Sequence, residues 1–395
     1  MKRVLIISQT FPPQADVGGL RPAMFAKYLP RFGWEPLVLT CTPPSNDPSF
    51  HPTMDIEGLP PESQVVRVLY GAKDEQAALK ARTFLGQVRH FFRPEEASPM
   101  GLCEKMLSSW SSVLDSREFD VVWATSPLLF PIRVATEIAT ARRVPWVADF
   151  RDLFDQFAGL DISLRGVLLR MRLRWRQRQL LKTASTIITV SKHMADMLSG
   201  QTGIPAEVIP NGYDPEMFRG NEQRNTPCFS ITYAGRILGA WLQDPRVFFS
   251  AMDRLLGNGD ITDSEVVIRF YGTDSSVLDS LLSPFKCKRI VRIERRVAYS
   301  EVPRVLQKST ILLVLTNRNR RGILTTKAFE YLAARRPILC VPGDRDALDE
   351  LLMETNAGIS CPDVESTAQA LLQWFSEWKR TGIVRSQGRE EVISL

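Results

Sequence analysis

An α/β fold built from two Rossmann-like domains is what this sequence predicts, and three observations predict it. Short β-branched runs alternate with helical stretches along most of the 395 residues, the pattern of parallel strands wrapped by helices. The alternation stops once, in VIPNGYDPEMFRGNEQRNTP, and then restarts. A chain of this length also exceeds one ordinary core, so two domains are expected. The expected boundaries are a first domain over 1–211, a linker over 212–227, a second domain over 228–379 and a polar tail over 380–395.

The elements follow in order. Apolar runs predict strands at Val4–Ser8, Pro36–Thr40, Gln64–Val68, Val121–Ala124, Pro145–Phe150, Thr186–Val190 and a short Glu207–Ile209. Helical periodicity between them predicts helices at Arg21–Phe32, Gly101–Leu114, Leu128–Ala141, Ser163–Thr183 and Lys192–Ser199. The linker is read from Asn, Gly, Pro and charge without periodicity. Beyond it, strands are expected at Phe229–Ala234, Glu265–Tyr271, Arg289–Ile293, Ile311–Leu315, Pro337–Val341 and Gly358–Ser360. Helices are expected at Pro245–Leu256, Ser300–Gln307, Thr326–Ala334, Ala347–Thr355 and Ser366–Lys379. Residues 69–98 break this rhythm and read as an insertion or surface flap. Open parallel sheets bind ligands beyond the C-terminal ends of their strands, so a ligand cleft between the two domains is expected.

Composition narrows the chemistry. The six cysteines are scattered without metal-binding spacing, and a reducing, cytoplasmic setting is expected. The three histidines, His51, His90 and His193, lie far apart, which argues against a histidine-rich metal site. No apolar run approaches the roughly 20 residues that span a bilayer. The opening MKRVLIIS has a signal-like charge but too short an apolar part, and reads as a strand. A net charge of +6 favours anionic ligands without choosing among them.

Four short stretches could carry chemistry. Gly18 and Gly19 stand between a strand and a helix, where backbone N–H groups can approach a phosphate. A plain turn explains two glycines equally well, and the spacing is not that of a dinucleotide fingerprint. Asp149, Arg151 and Asp152 close a strand in PWVADFRDLF, where they either face a ligand or stitch the loop as an Arg–Asp pair. Arg236 follows Gly235 at a strand end, and its planar fork suits a diphosphate. In GILTTKAFEYLAARRPIL, Lys327 and Glu330 share one helix face. A hydroxyl of Thr325 or Thr326 can cap that helix, leaving free N–H groups as an anion site. Lys327 would add a full charge there, and Glu330 could accept hydrogen bonds from a sugar diol. The plainer reading is a surface Lys–Glu pair.

A fifth stretch, RGVLLRMRLRWRQRQLLK, holds seven cations and no acid from Arg165 to Lys182. On a helix Arg170, Arg174 and Arg178 form one stripe, with Leu169, Leu173 and Leu180 roughly opposite. It is either a solvated cationic face or a site for an anionic membrane surface or acceptor. No aromatic platform or nucleic-acid motif accompanies the charge, so no nucleic-acid partner is expected.

Taken together, FPPQADVGGLRPAMFAKYLPRFGWEPLVLT, VPWVADFRDLF, VSKHM with VIPNGYDPEMF, YAGRIL with DP, and GILTTKAFEYLAARRPIL resemble, in order, the retaining nucleotide-sugar glycosyltransferases of the GT-B fold. The likeness is to the family 4-like members of bacterial polysaccharide and envelope synthesis. It implies two Rossmann-like domains with parallel sheets facing a central cleft. A nucleoside-diphosphate sugar would be bound mainly by the C-terminal domain, and a saccharide or lipid-linked acceptor mainly by the N-terminal one. Gly18 and Gly19 would approach the diphosphate, Arg236 and Lys327 would clamp it, and Glu330 would hold the ribose. Thr325 and Thr326 would lie at the phosphate end of the helix. Asp149, Arg151 and Asp152 would face the reacting sugar or acceptor, and Asn211 and Gly212 match the hinge turn. The resemblance implies no metal and no cofactor beyond the donor. The Arg165–Lys182 run, read separately, allows a cytoplasmic protein a peripheral position on the inner face of a membrane.

The sequence departs from the family at two places. An acid often found just before the glycine–lysine stretch is replaced by NRNRRG, with Arg321 or Gly322 near its position. A second basic residue after the glycine–arginine turn is missing from ILGAWLQ, with Arg246 as its nearest substitute. The alternatives to a transferase are a non-catalytic partner or scaffold on the same fold, or a sugar-nucleotide epimerase, which would need more acid/base groups.

Overall fold

The computed structural model describes residues 1–14, 16–43, 54–69, 102–114, 116–126, 129–152, 164–220 and 225–393. Most of the insertion expected over 69–98 lies outside the described residues, as do His51 and His90. The chain divides into two compact units, Met1–Pro210 and Asn211–Leu395.

The first unit carries β1 (Lys2–Ser8), β2 (Trp34–Thr42), β3 (Val65–Leu69), β4 (Val121–Ser126), β5 (Trp146–Phe150), β6 (Thr186–Thr189) and β7 (Ala206–Val208). They form one sheet in the order β3-β2-β1-β4-β5-β6-β7, parallel throughout. The second unit carries β8 (Phe229–Ala234), β9 (Val266–Tyr271), β10 (Val291–Glu294), β11 (Ile311–Val314), β12 (Ile338–Cys340) and β13 (Gly358–Ser360). Their order is β10-β9-β8-β11-β12-β13, again all parallel. Each sheet therefore reverses its winding once, between β1 and β4 and between β8 and β11. A crevice opens at such a switch point, beyond the strand ends.

Side chains alternate across a strand, and in a sheet covered on both faces both sets are apolar. Leu5 and Ile7 join one core cluster and Val4 and Ile6 another. Ile311 and Leu313 join one cluster of the second unit, Leu312 and Val314 the other. This is why central strands such as β1 and β11 read as unbroken apolar runs.

Three expectations are corrected. The linker packs into the second unit: Asp214 and Phe218 are buried, Phe218 beside Leu306 and Leu312. The polar tail is also part of that unit, since Val384 is fully buried and a short helix forms at Glu390–Ile393. The helix expected at Arg21–Phe32 is α-helical only over Leu20–Tyr28, then tightens to a 3-10 turn over Leu29–Phe32. Pro30 has no N–H to continue the ladder. A helix at Ser275–Leu282 has no counterpart among the expected elements. It is a bare two turns, too short for its apolar period to stand out, although Leu278 and Leu282 are buried at the helical spacing.

Candidate active site

In the first unit the predicted residues gather at the strand ends, but they mostly bind one another. The carboxylate of Asp149, at the end of β5, is fully buried. Arg21 donates to it from Nε at 3.0 Å and from Nη2 at 2.9 Å. The same guanidinium reaches the carbonyls of Ile209 and Pro210, at 2.9 Å each. One arginine thus ties the first helix, β5 and the end of the unit together, and Asp149 is its counter-ion. The expectation that Asp149 faces the reacting sugar is corrected: a wholly buried carboxylate held by a fork has no edge left for a substrate.

That pair yields a test. Asp149→Asn leaves the Arg21 charge buried without its partner, and breaking such a pair costs about 3–5 kcal/mol. Urea unfolding should show a large drop in midpoint. Lost activity with unchanged stability would instead restore Asp149 as a catalytic group.

The glycine loop is similarly occupied. The Gly18 N–H donates to the Asp16 carboxylate at 2.6 Å, and the Gly19 N–H to the Asp16 carbonyl at 2.8 Å. Both amides expected to cradle a phosphate are therefore spent on Asp16 in this structure. Arg151 Nη1 donates to the Gly18 carbonyl at 2.7 Å, while its buried Nε has no hydrogen-bond partner. Burial pulls the Arg151 pKa down from its ordinary value, and Asp149, Asp152 and Asp16 oppose that pull. Of this group Arg151 and Asp152, both half-buried, keep part of their surface open.

The second unit brings its predicted residues together at the β8–β11 switch point. Strand β8 ends at Ala234, and Gly235 turns the chain with φ of +143°. Thr273 Oγ1 donates to the Gly235 carbonyl at 2.7 Å, and the Gly235 N–H to the Tyr271 carbonyl at 2.9 Å. The Ala234 N–H donates to the Tyr331 hydroxyl at 2.8 Å, locking the strand end to the helix Thr326–Ala333. Against this turn lies Lys327. Its Nζ sits 3.7 Å from the centre of the Tyr233 ring, close enough for a cation–π contact. A Cβ on residue 235 would come within 2.7 Å of both Cε and Nζ of Lys327. Only glycine admits the lysine here.

Thr325 is the N-cap of that helix, with extended backbone, but its hydroxyl makes no capping bond. The expected threonine cap is thus absent at Thr325. Thr326 opens the helix, half-buried, and Glu330 lies one turn beyond Lys327 with a hydrogen bond from Tyr299. Burial pushes Lys327 down to about 7, with Glu330 opposing the shift. Burial raises Glu330 to about 7, against the pull of Tyr299 and Lys327. Both side chains keep part of their surface open. The pair is not the exposed surface bridge that the plainer reading allowed. It is a cation and a carboxyl held at a desolvation cost, and titratable groups perturbed in this way cluster at functional sites.

Arg236 is two-thirds exposed and 3.5 Å from Asp274, a loose pair that leaves its fork available. Arg246 does not supply the missing second cation. Asp244 holds it at 2.8 Å from Nε and 2.6 Å from Nη2. An acid does stand near Gly322, from a loop that carries no such signal in the sequence: Asp346, nearly buried, accepts from the Gly322 N–H. Tyr233, Tyr299, Tyr331 and Asp346 are the site residues that sequence reasoning misses. Only Tyr233 and Tyr331 leave a signal, as neighbours of Gly235 and Glu330.

A family described as the glycosyl transferase 4-like domain matches residues 18–212. That match spans nearly all of the first unit. A search of curated proteins finds no match. Among solved structures, sucrose-phosphate synthase from Thermosynechococcus elongatus is similar at a TM-score of 0.63 and 12% identity, over 97% of this chain and 90% of that one. HepE of Anabaena, in complex with UDP and glucose, gives 0.59 and 12%, over 97% and 92%. A glycosyltransferase from Rickettsia africae gives 0.59 and 13%, over 95% and 88%. At such identities the likeness carries the fold. The two units together have the two-domain α/β architecture of GT-B glycosyltransferases.

Proposed function

We propose that this chain transfers a sugar from a nucleoside-diphosphate sugar, bound by the second unit, to a saccharide or lipid-linked acceptor taken by the first. The observation that carries this reading is Lys327, seated on the Tyr233 ring against Gly235 at the β8–β11 switch point. A cation stripped of much of its water, beside a helix N-terminus, gains strongly from an arriving diphosphate. Glu330, one turn on, is placed to accept hydrogen bonds from ribose hydroxyls. The UDP and glucose bound by HepE, on the same fold, support the donor class.

Breaking the bond between the sugar and its phosphate leaves negative charge on the departing diphosphate. Lys327, Arg236 and the helix N-terminus would stabilise that charge, the largest contribution in sites of this kind. Retention follows if the acceptor hydroxyl attacks from the face the phosphate leaves. Its oxygen forms the new glycosidic bond, and its proton passes to the departing phosphate oxygen. Arg151 and Asp152 are the groups of the first unit best placed to hold an acceptor. Cell-surface polysaccharide or glycoconjugate synthesis is the setting such acceptors suggest.

Calorimetric titration with UDP, GDP, ADP and dTDP tests the reading, with and without EDTA. One diphosphate should bind with micromolar affinity, and EDTA should leave that affinity unchanged. Failure of all four would remove the donor site. Tight binding without turnover on any acceptor would favour a non-catalytic partner of a transferase.

A further inference from the structure

The helix Leu164–Leu181 has two apolar stripes, and folding uses only one. Gln177, Leu180 and Leu181 are buried, and Leu173 packs on the core of the first unit. On the opposite side, Val167 and Leu168 precede Met171 and Trp175 at the spacing of successive turns. Leu168, Met171 and Trp175 are 48%, 64% and 50% exposed. Arg170 and Arg174 run along one flank of this outer stripe and Arg172 and Arg176 along the other. Exposed Arg178, and Lys182 just past the helix end, continue the cationic border. The sequence suggested a cationic face opposite a buried one. The structure shows an apolar stripe turned outward between rows of arginine.

We infer that this helix face docks on an anionic lipid bilayer surface, lying in the plane of the interface. An in-plane helix needs exposed apolar side chains to enter the acyl boundary and cations around them to meet lipid phosphates. Trp175 fits that boundary, with an apolar body and a polar N–H. Seven cations without an acid from Arg165 to Lys182 are complementary to an anionic leaflet. A second copy of the chain is a poor occupant, because a two-fold contact would set this cationic patch against itself. No helix among the described residues is long and apolar enough to cross a membrane, so contact through this face would be peripheral.

Co-sedimentation of the full chain with vesicles of phosphatidylcholine, and of phosphatidylcholine mixed with phosphatidylglycerol, tests the inference. Binding should require the anionic lipid. It should weaken at least about tenfold between 0.1 M and 1 M salt, as the Debye length shrinks from about 10 Å to about 3 Å. Trp175→Glu should weaken it about tenfold or more, whereas Trp175→Phe should retain most of it, given the area an aromatic ring buries. Titration with the nucleoside diphosphate should be the same for both variants, which separates this result from the fate of the donor site. No sedimentation, equal binding to neutral vesicles, or a Trp175→Glu protein that binds like the wild type would each overturn the inference. So would loss of a dimer on Trp175→Glu, which would assign the face to a second copy.

Discussion

Lys327→Ala should abolish measurable binding of the nucleoside diphosphate, weakening it about a hundredfold or more. Truncating one member of a desolvated charge pair at an interface costs about 2–5 kcal/mol, and Lys327 is the group that the strand end, the Tyr233 ring and the helix are built around. The fold should survive the change. Lys327 is held at the expense of its own hydration, so its removal relieves a cost, and Glu330, already raised to about 7, can take up a proton rather than stand as an unpaired charge. The variant should therefore melt no lower than the wild type while losing the ligand. A variant that binds normally would remove Lys327 from the site.

The same group sets a pH dependence. In the free protein Lys327 titrates near 7 because burial disfavours its charge. A bound diphosphate favours the charged form, so binding takes up a proton once pH rises above 7, and affinity falls there. Glu330 also titrates near 7, raised by burial. Accepting hydrogen bonds from a ribose favours the carboxylate, so binding must release a proton below 7, and affinity falls on that side too. Affinity should peak near neutrality. Glu330→Gln should flatten the acid limb and keep the alkaline one, and calorimetry across a pH series reads both. An affinity that climbs steadily to pH 9 would contradict the role given to Lys327.

Gly235→Ala should be nearly as damaging, for a steric reason. At φ of +143° a side chain is strained wherever it points, and here the methyl would sit 2.7 Å from Cε and Nζ of Lys327. The lysine must leave its place on the Tyr233 ring. Strained backbone of this kind costs about 1–3 kcal/mol, which urea unfolding should show. Diphosphate binding should fall about as far as in Lys327→Ala. Gly259→Ala separates the two effects. It also lies at positive φ, but nothing stands within 4 Å of its Cβ, so stability should drop with binding intact. Equal binding in wild type and Gly235→Ala would show that the contact with Lys327 does not matter.

The chain's apolar periodicity is enough to read the two domains and every strand among the described residues to within a few residues. Central strands such as β1 and β11 are buried on both faces and need unbroken apolar runs, and those runs survive in one dimension. Phe229–Ala234 and Gly358–Ser360 are legible to the residue. The linker and the tail mislead for the converse reason. Polar composition says that a segment is irregular, not whether a few apolar residues such as Phe218 and Val384 pin it to a core.

The Lys327–Glu330 pair is legible because three-residue spacing fixes both side chains on one helix face whatever the tertiary fold. What no spacing can show is what crosses that face. The Tyr233 ring lies about 90 residues away in sequence, and the Asp346 carboxylate reaches Gly322 from the loop after β12. Asp149 makes the same point in the opposite direction. A strand-end acid in a charged triplet looks free to meet a substrate until packing brings Arg21 from 128 residues away to neutralise it. Residue order alone therefore establishes the fold class, the helix that carries the cation and the carboxyl, and the charge of the arginine-rich helix. Which charges are consumed as partners of other charges, and which remain for a ligand, is settled by packing in three dimensions. Desolvation and pairing depend on neighbours that the order of residues does not specify.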